Sequence, residues 1–191
     1  MELLKEIDER RARRGLSAEA VPRDVVARIL KAATYAPSCF NNQPWRIIAV
    51  ENTPDSPAAD GLRTALTPGN AWALRAAWFF VLATGPHLDC RLDEGRDYAL
   101  FDLGQAAMAL QLQAQHEGLI AHPMAGFSPK KTREAVKLPP ELVPVVVLAL
   151  GRAGSMEALN EAQKASETGP RVRKPLGEVA FLGDYGVPFE Q

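Results

Sequence analysis

The stretch Ala36-Pro-Ser-Cys-Phe-Asn-Asn-Gln-Pro-Trp-Arg46 runs straight into an apolar segment, Ile47 to Val50, with the composition of a strand. Two prolines fix its backbone and keep the residues before them out of the helical region. Between the prolines lie short side chains that donate and accept hydrogen bonds: Ser38, Asn41, Asn42 and Gln43. The pattern predicts a rigid polar turn at the surface that grips a flat heterocycle with polar edges. The alternative is an ordinary connecting turn followed by a core tryptophan.

Length and composition indicate a single globular domain. The chain has 191 residues, 47% hydrophobic and 24% charged, which is enough to bury a sizeable core. Its net charge of -1 argues against a nucleic-acid-binding domain, because such domains are usually strongly basic. The sequence shows neither the apolar core of a signal peptide nor an apolar run of membrane-spanning length. We therefore expect a cytoplasmic protein with no nucleic-acid and no membrane partner.

Helices alternate with about four strands along the chain. Apolar residues at helical spacing predict a short helix that starts near Leu3 and ends in the arginines between 10 and 14, a helix between Pro22 and Pro37, a short helix near Gly61 to Leu66, and a helix capped by Ser128. Apolar runs predict strands at Ile47 to Val50, Ala77 to Ala83, Leu119 to Ala121 and Val143 to Leu150, with a turn at Pro123 to Phe127. This alternation predicts an α+β or α/β sandwich in one domain, 1–191.

The segment Tyr98 to Glu117 is the predicted central helix. It is apolar on almost every side, and Gly118 after it suits a helix C-cap. Such a helix must be covered on every side, so we expect a second subunit to supply part of the cover. Residues from about 153 to 191 show no core pattern until Val179 to Leu182, and we interpret them as a C-terminal arm that reaches across a dimer.

Two basic clusters occur in this nearly neutral chain. They comprise Arg10, Arg11, Arg13 and Arg14 near the N-terminus, and Arg171, Arg173 and Lys174 near the other end. Guanidinium groups form paired hydrogen bonds with phosphate and carbonyl oxygens. Together with the polar turn, the clusters suit a flat ring that carries a phosphate. The alternative is that both are solvated, or complement a helix dipole.

These motifs resemble, in order and over essentially the whole chain, those of the nitroreductase-like flavoproteins, which bind FMN. The family's basic opening motif is matched by Arg10 to Arg14, and its Ala-Pro-Ser-x-x-Asn-x-Gln-Pro-Trp motif by Ala36 to Trp45. Weaker matches are Tyr98 to Gly104, His122 to Phe127, Leu148 to Arg152 and Arg171 to Leu176. The resemblance implies an α+β nitroreductase-like sandwich with a central, mainly antiparallel sheet flanked by helices, and an arm exchanged across a homodimer.

The resemblance also implies a flavin site shared between two subunits. Arg10, Arg11 and Arg14, with the backbone at Ala12, would contact the phosphate, the ribityl chain and the pyrimidine edge. Pro37, Ser38, Asn41 and Gln43 would approach from the partner subunit, Met124, Ala125 and Gly126 would lie near flavin N5, and Arg171 and Arg173 would hold the phosphate. Ala12 replaces a usual Ser and Ala125 a Glu that some relatives carry. Asn70 and His122 are further candidates for contact with flavin or substrate.

The activity implied by the resemblance is that of an FMN-dependent oxidoreductase. Hydride would pass from NADPH or NADH to flavin N5 and on to a small planar acceptor, a quinone or a nitroaromatic compound, by a ping-pong mechanism. Hydride transfer needs no side-chain acid or base, so no catalytic residue is assigned. The short segment between Ala83 and Tyr98 predicts an open cleft without a helical lid. The alternative is a flavin-binding sensor or carrier without NAD(P)H turnover.

No metal site is predicted. The three histidines, His87, His116 and His122, are widely spaced, and neither HExxH nor CxxC occurs. Cys39 and Cys90 lie far apart in the sequence. We interpret Cys39 as a small packed residue, because nothing nearby in the sequence supplies a second redox thiol.

Overall fold

A computed structural model describes residues 2–189, and the chain divides into two compact units, Met1–Asn160 and Glu161–Gln191. The helices of the first unit are α1 (Lys5–Glu9), α2 (Arg23–Ala33), α3 (Pro57–Ala65), α4 (Tyr98–His116) and α5 (Pro129–Ala135). Its strands are β1 (Arg46–Glu51), β2 (Trp78–Thr84), β3 (Ile120–Met124) and β4 (Val143–Gly151). Among the helices of residues 2–189, none combines the length and the apolar composition needed to cross a bilayer.

The strands form one sheet in the order β1-β2-β4-β3, and every neighbouring pair is antiparallel. β2 and β4 are therefore the inner strands, and β1 and β3 the outer ones. This arrangement confirms the predicted α+β sandwich with an antiparallel central sheet. It also sets β1 and β3, which adjoin two parts of the predicted site, at opposite edges.

Helices cover both faces of the sheet, which explains why all seven residues of β2 are buried. Successive side chains of a strand point to opposite faces. Phe80 accordingly packs in a cluster with residues of α2 and α4, and Phe79 packs in a second cluster with residues of α3. Full burial of such side chains stabilises the fold by about 1.5–3 kcal/mol each.

The helix α2 follows Pro22, as predicted, but ends at Ala33 instead of Pro37. Its buried stripe consists of Val26, Ile29 and Ala33, at the spacing of one helix face. The next residues, from Thr34 onward, form the turn that leads into the polar segment.

The helix α4 buries one face and exposes another. Leu103, Ala106 and Leu110 are buried in the cluster that includes residues of α2 and the sheet. On the other side Leu100 is 54% exposed and Phe101 60% exposed. The predicted apolar surface on most sides of this helix is thus only partly covered within the chain.

Two boundaries differ from the predicted ones in ways that affect the site. α1 ends at Glu9, and Arg10 is extended (φ -58, ψ 124), so the arginine cluster lies outside the helix. β3 continues to Met124, through part of the predicted turn. Pro123 is tolerated there because β3 is an edge strand, where a missing N–H costs no ladder bond.

The second unit contains α6 (Glu161–Thr168), a short 3-10 turn at Leu176–Glu178 and an isolated bridge between Phe181 and Pro188. Val179 and Leu182 are 60% and 63% exposed in the single chain, and the role of the apolar segment Val179 to Leu182 in a dimer arm stays a prediction. The exchange of an arm from about residue 153 stays a prediction.

Candidate functional site

The polar turn has a backbone held in an unusual conformation. Phe40, Asn41 and Gln43 have φ values of 47°, 57° and 48°, in the left-handed region, which costs a residue with a side chain roughly 1–2 kcal/mol. The Ser38 Oγ accepts a hydrogen bond from the Gln43 N–H at 3.0 Å, and the Ser38 carbonyl accepts one from the Asn41 N–H. Strain of this kind, retained by specific contacts, is common at binding sites.

A buried carboxylate anchors this turn to α4. The Cys39 N–H donates to Asp102 Oδ2 at 2.7 Å, and Gln105 Nε2 donates to Asp102 Oδ1 at 3.0 Å. Asp102 is 1% exposed, and this burial is the main cause that raises the pKa of its carboxyl. At the other end of the turn, the Thr84 hydroxyl donates to the Pro44 carbonyl at 2.9 Å.

These anchors leave the predicted binding groups of the turn accessible. Pro37, Asn41 and Gln43 are exposed and Ser38 is half-buried. Phe40, between them, is 90% exposed. Exposure of an apolar ring to water is unfavourable. We therefore interpret this strained, otherwise polar turn as a surface that contacts another molecule.

The arginine segment, Arg10 to Arg14, lies beside β3, where a hydrogen bond from a histidine fixes it. His122 Nδ1 donates to the Arg13 carbonyl at 3.0 Å, and its ring lies 4.4 Å from the Trp72 ring, centre to centre. Of the predicted flavin contacts in this segment, Arg10, Arg11 and Arg14 are half-buried, while Ala12 is exposed. The segment thus brings several guanidinium groups to this edge of the sheet.

Backbone hydrogen bonds fix the residues that follow this segment. The Gly154 N–H donates to the Gly15 carbonyl at 2.8 Å, and the Ser17 N–H donates to the Arg152 carbonyl at 3.0 Å. Leu16, between them, is 1% exposed. The arginine segment is therefore held by His122 on one side and by the residues after β4 on the other.

The loop after β3 is fixed through a single carbonyl. The Gly126 oxygen accepts hydrogen bonds from the Thr67 N–H at 3.0 Å, from the Thr67 hydroxyl at 3.0 Å and from Asn70 Nδ2 at 2.9 Å. A Cβ at Gly126 would lie 2.6 Å from Thr67 Oγ1, closer than side-chain contacts allow. Glycine is therefore required here for close packing.

The same loop presents backbone donors. Within residues 2–189, the N–H groups of Ala125 and Gly126 donate to no acceptor. Ala125 is exposed and Gly126 is half-buried, whereas Met124 is 2% exposed and packs in the core. The loop thus combines a fixed carbonyl with amide donors that a ligand can use.

The structure separates the predicted site residues into groups. The polar turn precedes β1, and the loop with Met124 to Gly126 follows β3, at the opposite edge of the sheet. Three inter-strand steps of about 4.8 Å put these edges roughly 14 Å apart. Arg171 and Arg173 belong to the second unit, where Arg171 is half-buried and Arg173 exposed.

Comparison with known proteins identifies the family. Residues 7–152 match the Nitroreductase family.

The chain belongs to the nitroreductase family.

Relatives and a solved structure agree with this assignment. The chain is 36% identical to an uncharacterized 15.4 kDa protein of Mycolicibacterium smegmatis, over 64% of this chain and 81% of that protein. It is 30% identical to an NADH dehydrogenase of Thermus thermophilus, over 75% of this chain and 82% of that protein. A crystal structure of an oxidoreductase containing FMN superposes with a TM-score of 0.85 at 26% identity, covering 98% of this chain and 94% of the other.

In this member of the nitroreductase family, sequence reasoning missed several contacts that hold the candidate site in place. Asp102 and Thr67 act through contacts with residues far away in the sequence, which spacing does not reveal. Asn70 was a candidate for contact with flavin or substrate, but its hydrogen bond to the Gly126 carbonyl, which holds the loop after β3, was not foreseen. Cys90 is the spatial neighbour of Cys39, and their hydrogen bond is the main cause that raises the pKa of the Cys90 thiol to about 11.

Proposed function

We propose that the protein is a homodimeric, FMN-dependent oxidoreductase. It takes hydride from NADPH or NADH and passes electrons to a small planar acceptor, a quinone or a nitroaromatic compound, in a ping-pong reaction. The relative named NADH dehydrogenase supports a nicotinamide donor. The FMN-containing oxidoreductase, which superposes along nearly the whole chain, supports the cofactor.

The donors of this chain suit FMN. Arg10, Arg11 and Arg14 supply guanidinium groups, which pair with phosphate and carbonyl oxygens. Ala12 adds backbone contacts, and Arg171 and Arg173 add a second cationic group for the phosphate. When bound, FMN supplies an N5 position that accepts and releases hydride.

The observation that carries the proposal is the loop Met124 to Gly126. Its carbonyl at Gly126 is saturated by Thr67 and Asn70, while the amide N–H groups of Ala125 and Gly126 have no acceptor within residues 2–189. Fixed donors of this kind stabilise negative charge that develops on a ligand, because they need no reorganisation. Arg10, Arg11 and Arg14 would likewise stabilise negative charge at the pyrimidine edge of the flavin.

The polar turn would complete the site from a partner subunit. Its groups Pro37, Ser38, Asn41 and Gln43 lie at the sheet edge opposite to the loop after β3. In this proposal one chain carries two halves of the site on different edges, and a second copy would bring them together. The exposed Leu100 and Phe101 of α4 supply apolar surface for that contact, and the C-terminal arm would cross to the partner.

The acceptor would enter an open cleft. Between Thr84 and Tyr98 the chain forms only short 3-10 turns, at Pro86–Leu88 and Asp93–Gly95. No helical lid is present in that described segment. The side chains of this chain hold and orient the reactants, and none is required to move a proton.

Steady-state kinetics test the proposal. Oxidation of NADH and of NADPH should be followed with a benzoquinone and with a nitroaromatic acceptor, each at several fixed concentrations. We expect turnover with at least one donor, and parallel double-reciprocal lines. A protein that binds FMN but oxidises neither donor would instead favour the sensor or carrier function.

A further inference from the structure

Two cysteines and a carboxylate meet behind the polar turn, although they lie far apart in the sequence. The Sγ atoms of Cys39 and Cys90 and a carboxylate oxygen of Asp89 lie within 4.8 Å of one another. Cys39 belongs to the polar turn, whereas Asp89 and Cys90 lie between β2 and α4. All three residues are half-buried, so the cluster is both sheltered and reachable from solvent.

This ligand set suits zinc. Zn²⁺ binds thiolates at about 2.3 Å and carboxylate oxygens at about 2.0–2.2 Å in tetrahedral geometry, which sets neighbouring ligand atoms roughly 3.4–3.8 Å apart. The separations in the cluster allow that spacing after small side-chain adjustments. Thiolates select Zn²⁺ over Mg²⁺ and Ca²⁺, which prefer all-oxygen sites.

One oxygen of the Asp89 carboxylate accepts hydrogen bonds, and the other accepts none within residues 2–189. Oδ1 accepts hydrogen bonds from the Cys90 N–H at 2.8 Å and from Asn42 Nδ2 at 3.1 Å. Oδ2 is buried, and within residues 2–189 it has no hydrogen-bond partner. A buried carboxylate oxygen without a partner is costly, and a bound cation would remove that cost.

The surroundings also favour a cation. Asn42 Nδ2 lies 3.6 Å from Cys90 Sγ as well as bonding Asp89, so one amide orients two of the ligands, as outer groups of metal sites do. Asp102 adds a carboxylate bonded to the Cys39 N–H. In the part of the chain from 2 to 189, neither Asp89 nor Asp102 forms an ion pair.

We propose that Cys39, Cys90 and Asp89 form a zinc site that clamps the polar turn to the segment before α4. A fourth position is left for water or an added ligand. The site would help to hold a turn with several left-handed residues, since it adds a further fixed point to the bonds with Asp102 and Thr84. The proposed zinc site rests on this cluster alone and does not depend on the proposed oxidoreductase activity.

The direct test is zinc binding by the purified full-length protein with its cysteine thiols reduced, whether or not it carries FMN. Zinc sulfate should be added with a thiol-free reductant, the bound metal counted after gel filtration, and its ligands measured by X-ray absorption at the zinc edge. We expect one zinc per chain with two sulfur neighbours at about 2.3 Å and oxygen neighbours at about 2.0–2.2 Å. Because this measurement uses the unmodified chain, it does not depend on whether a variant folds.

Variants then assign the ligands. Cys90→Ser and Asp89→Asn should each weaken zinc binding at least tenfold, and Asn42→Ala by about 10–100-fold. Asp93→Asn, an exposed carboxylate of the same segment, is the matched control and should bind zinc like the unmodified chain. No zinc retained by the reduced protein, zinc without sulfur neighbours, or full binding by Cys90→Ser would each overturn the proposal. A Cys39–Cys90 disulfide, seen as the loss of two hydrogens by mass and accompanied by no zinc binding after reduction, would overturn it too.

Discussion

His122 donates a hydrogen bond from Nδ1 to the carbonyl oxygen of Arg13 at 3.0 Å. Because a carbonyl only accepts, Nδ1 must carry the hydrogen. His122 is 8% exposed, and its ring packs beside Trp72. This bond links the arginine segment to β3, which leads into the loop with the Ala125 and Gly126 amides. It therefore helps to fix the relative position of the two parts of the proposed flavin site at this edge.

Removal of that bond should weaken FMN binding. For His122→Ala we expect about a tenfold loss of FMN affinity, the effect of losing one hydrogen bond of about 1.4 kcal/mol. Quenching of FMN fluorescence on titration measures it. His87→Ala, at an exposed histidine, is the control and should bind FMN normally. Equal affinities for both variants would show that the bond does not position the site.

Gly126→Ala should damage the loop after β3. The new Cβ would lie 2.6 Å from Thr67 Oγ1 and 2.8 Å from Asn70 Nδ2, so two of the three bonds to the Gly126 carbonyl must lengthen. Overpacking of this kind costs about 1–3 kcal/mol. We expect a lower melting temperature together with weaker FMN binding. Gly69→Ala, where a Cβ meets nothing within 4 Å, should leave both unchanged, and a similar effect of the two substitutions would contradict this account.

Phe40→Gly separates strain from contact. Glycine removes the left-handed strain at φ 47°, so thermal stability should rise or stay equal. It also removes a ring that is 90% exposed and belongs to the polar turn, which we propose meets the partner subunit. The dissociation constant of the dimer, measured by sedimentation, should therefore be higher than that of the unmodified protein. Lys137→Gly, at φ 52°, is the matched control. If the Phe40→Gly dimer is as stable as the Lys137→Gly dimer, Phe40 does not contribute to the interface.

The ion pair between α2 and the end of α4 makes stability depend on pH. Arg28 forms two hydrogen bonds with the Glu117 carboxylate, at 2.8 and 2.9 Å, and thereby lowers the pKa of Glu117 from 4.5 to about 2. A lowered pKa in the folded state stabilises the fold above the unfolded value, and this contribution disappears as pH falls towards about 2. Glu117→Gln should therefore lower the melting temperature at about pH 7, and by less at about pH 3.

The control for that comparison is Glu141→Gln, at an exposed glutamate. Its melting temperature should follow that of the unmodified chain at both pH values. A difference between Glu117→Gln and the unmodified chain that stays constant between about pH 7 and pH 3 would show that the ion pair is not its source.

Arg173→Ala tests the second cationic group of the proposed phosphate site. Arg173 is exposed, and its Nη1 donates locally to the Val172 carbonyl at 2.8 Å, so its removal should not affect folding. Loss of a charged hydrogen bond of about 1.5–3 kcal/mol should lower FMN affinity about 10–100-fold. Lys164→Ala, at a lysine in α6, is the control. Unchanged FMN affinity in Arg173→Ala would exclude that residue from the phosphate site.

Much of the fold could be predicted because its strongest elements are local patterns. β2 and β4 are continuous apolar runs, and α4 is a long helical segment with an Asp97 cap that accepts from the Ala99 N–H. The position of the arginine segment could not be read from its own residues. It lies outside α1 because contacts with His122, far away in the sequence, hold it along β3.

The conformation of the polar turn could be predicted from its linear motif, whereas the tertiary contacts around it could not. The residues from Pro37 to Gln43 form a rigid, exposed polar turn, as their prolines and amides indicated. The carboxylate behind the turn, Asp102, meets the Cys39 N–H only after folding, so the helical pattern of α4 did not indicate its role. Likewise, Cys39 looked isolated because its neighbour Cys90 is brought to it only by folding.

The visible absorption spectrum of the purified, FMN-saturated protein, recorded without oxygen before and after addition of NADPH and then NADH, tests the central claim most directly. We predict a bound flavin spectrum with one FMN per chain that bleaches with at least one donor. A bound flavin that stays yellow with both donors would contradict the proposed reductase, and absence of FMN binding would contradict the flavin site itself.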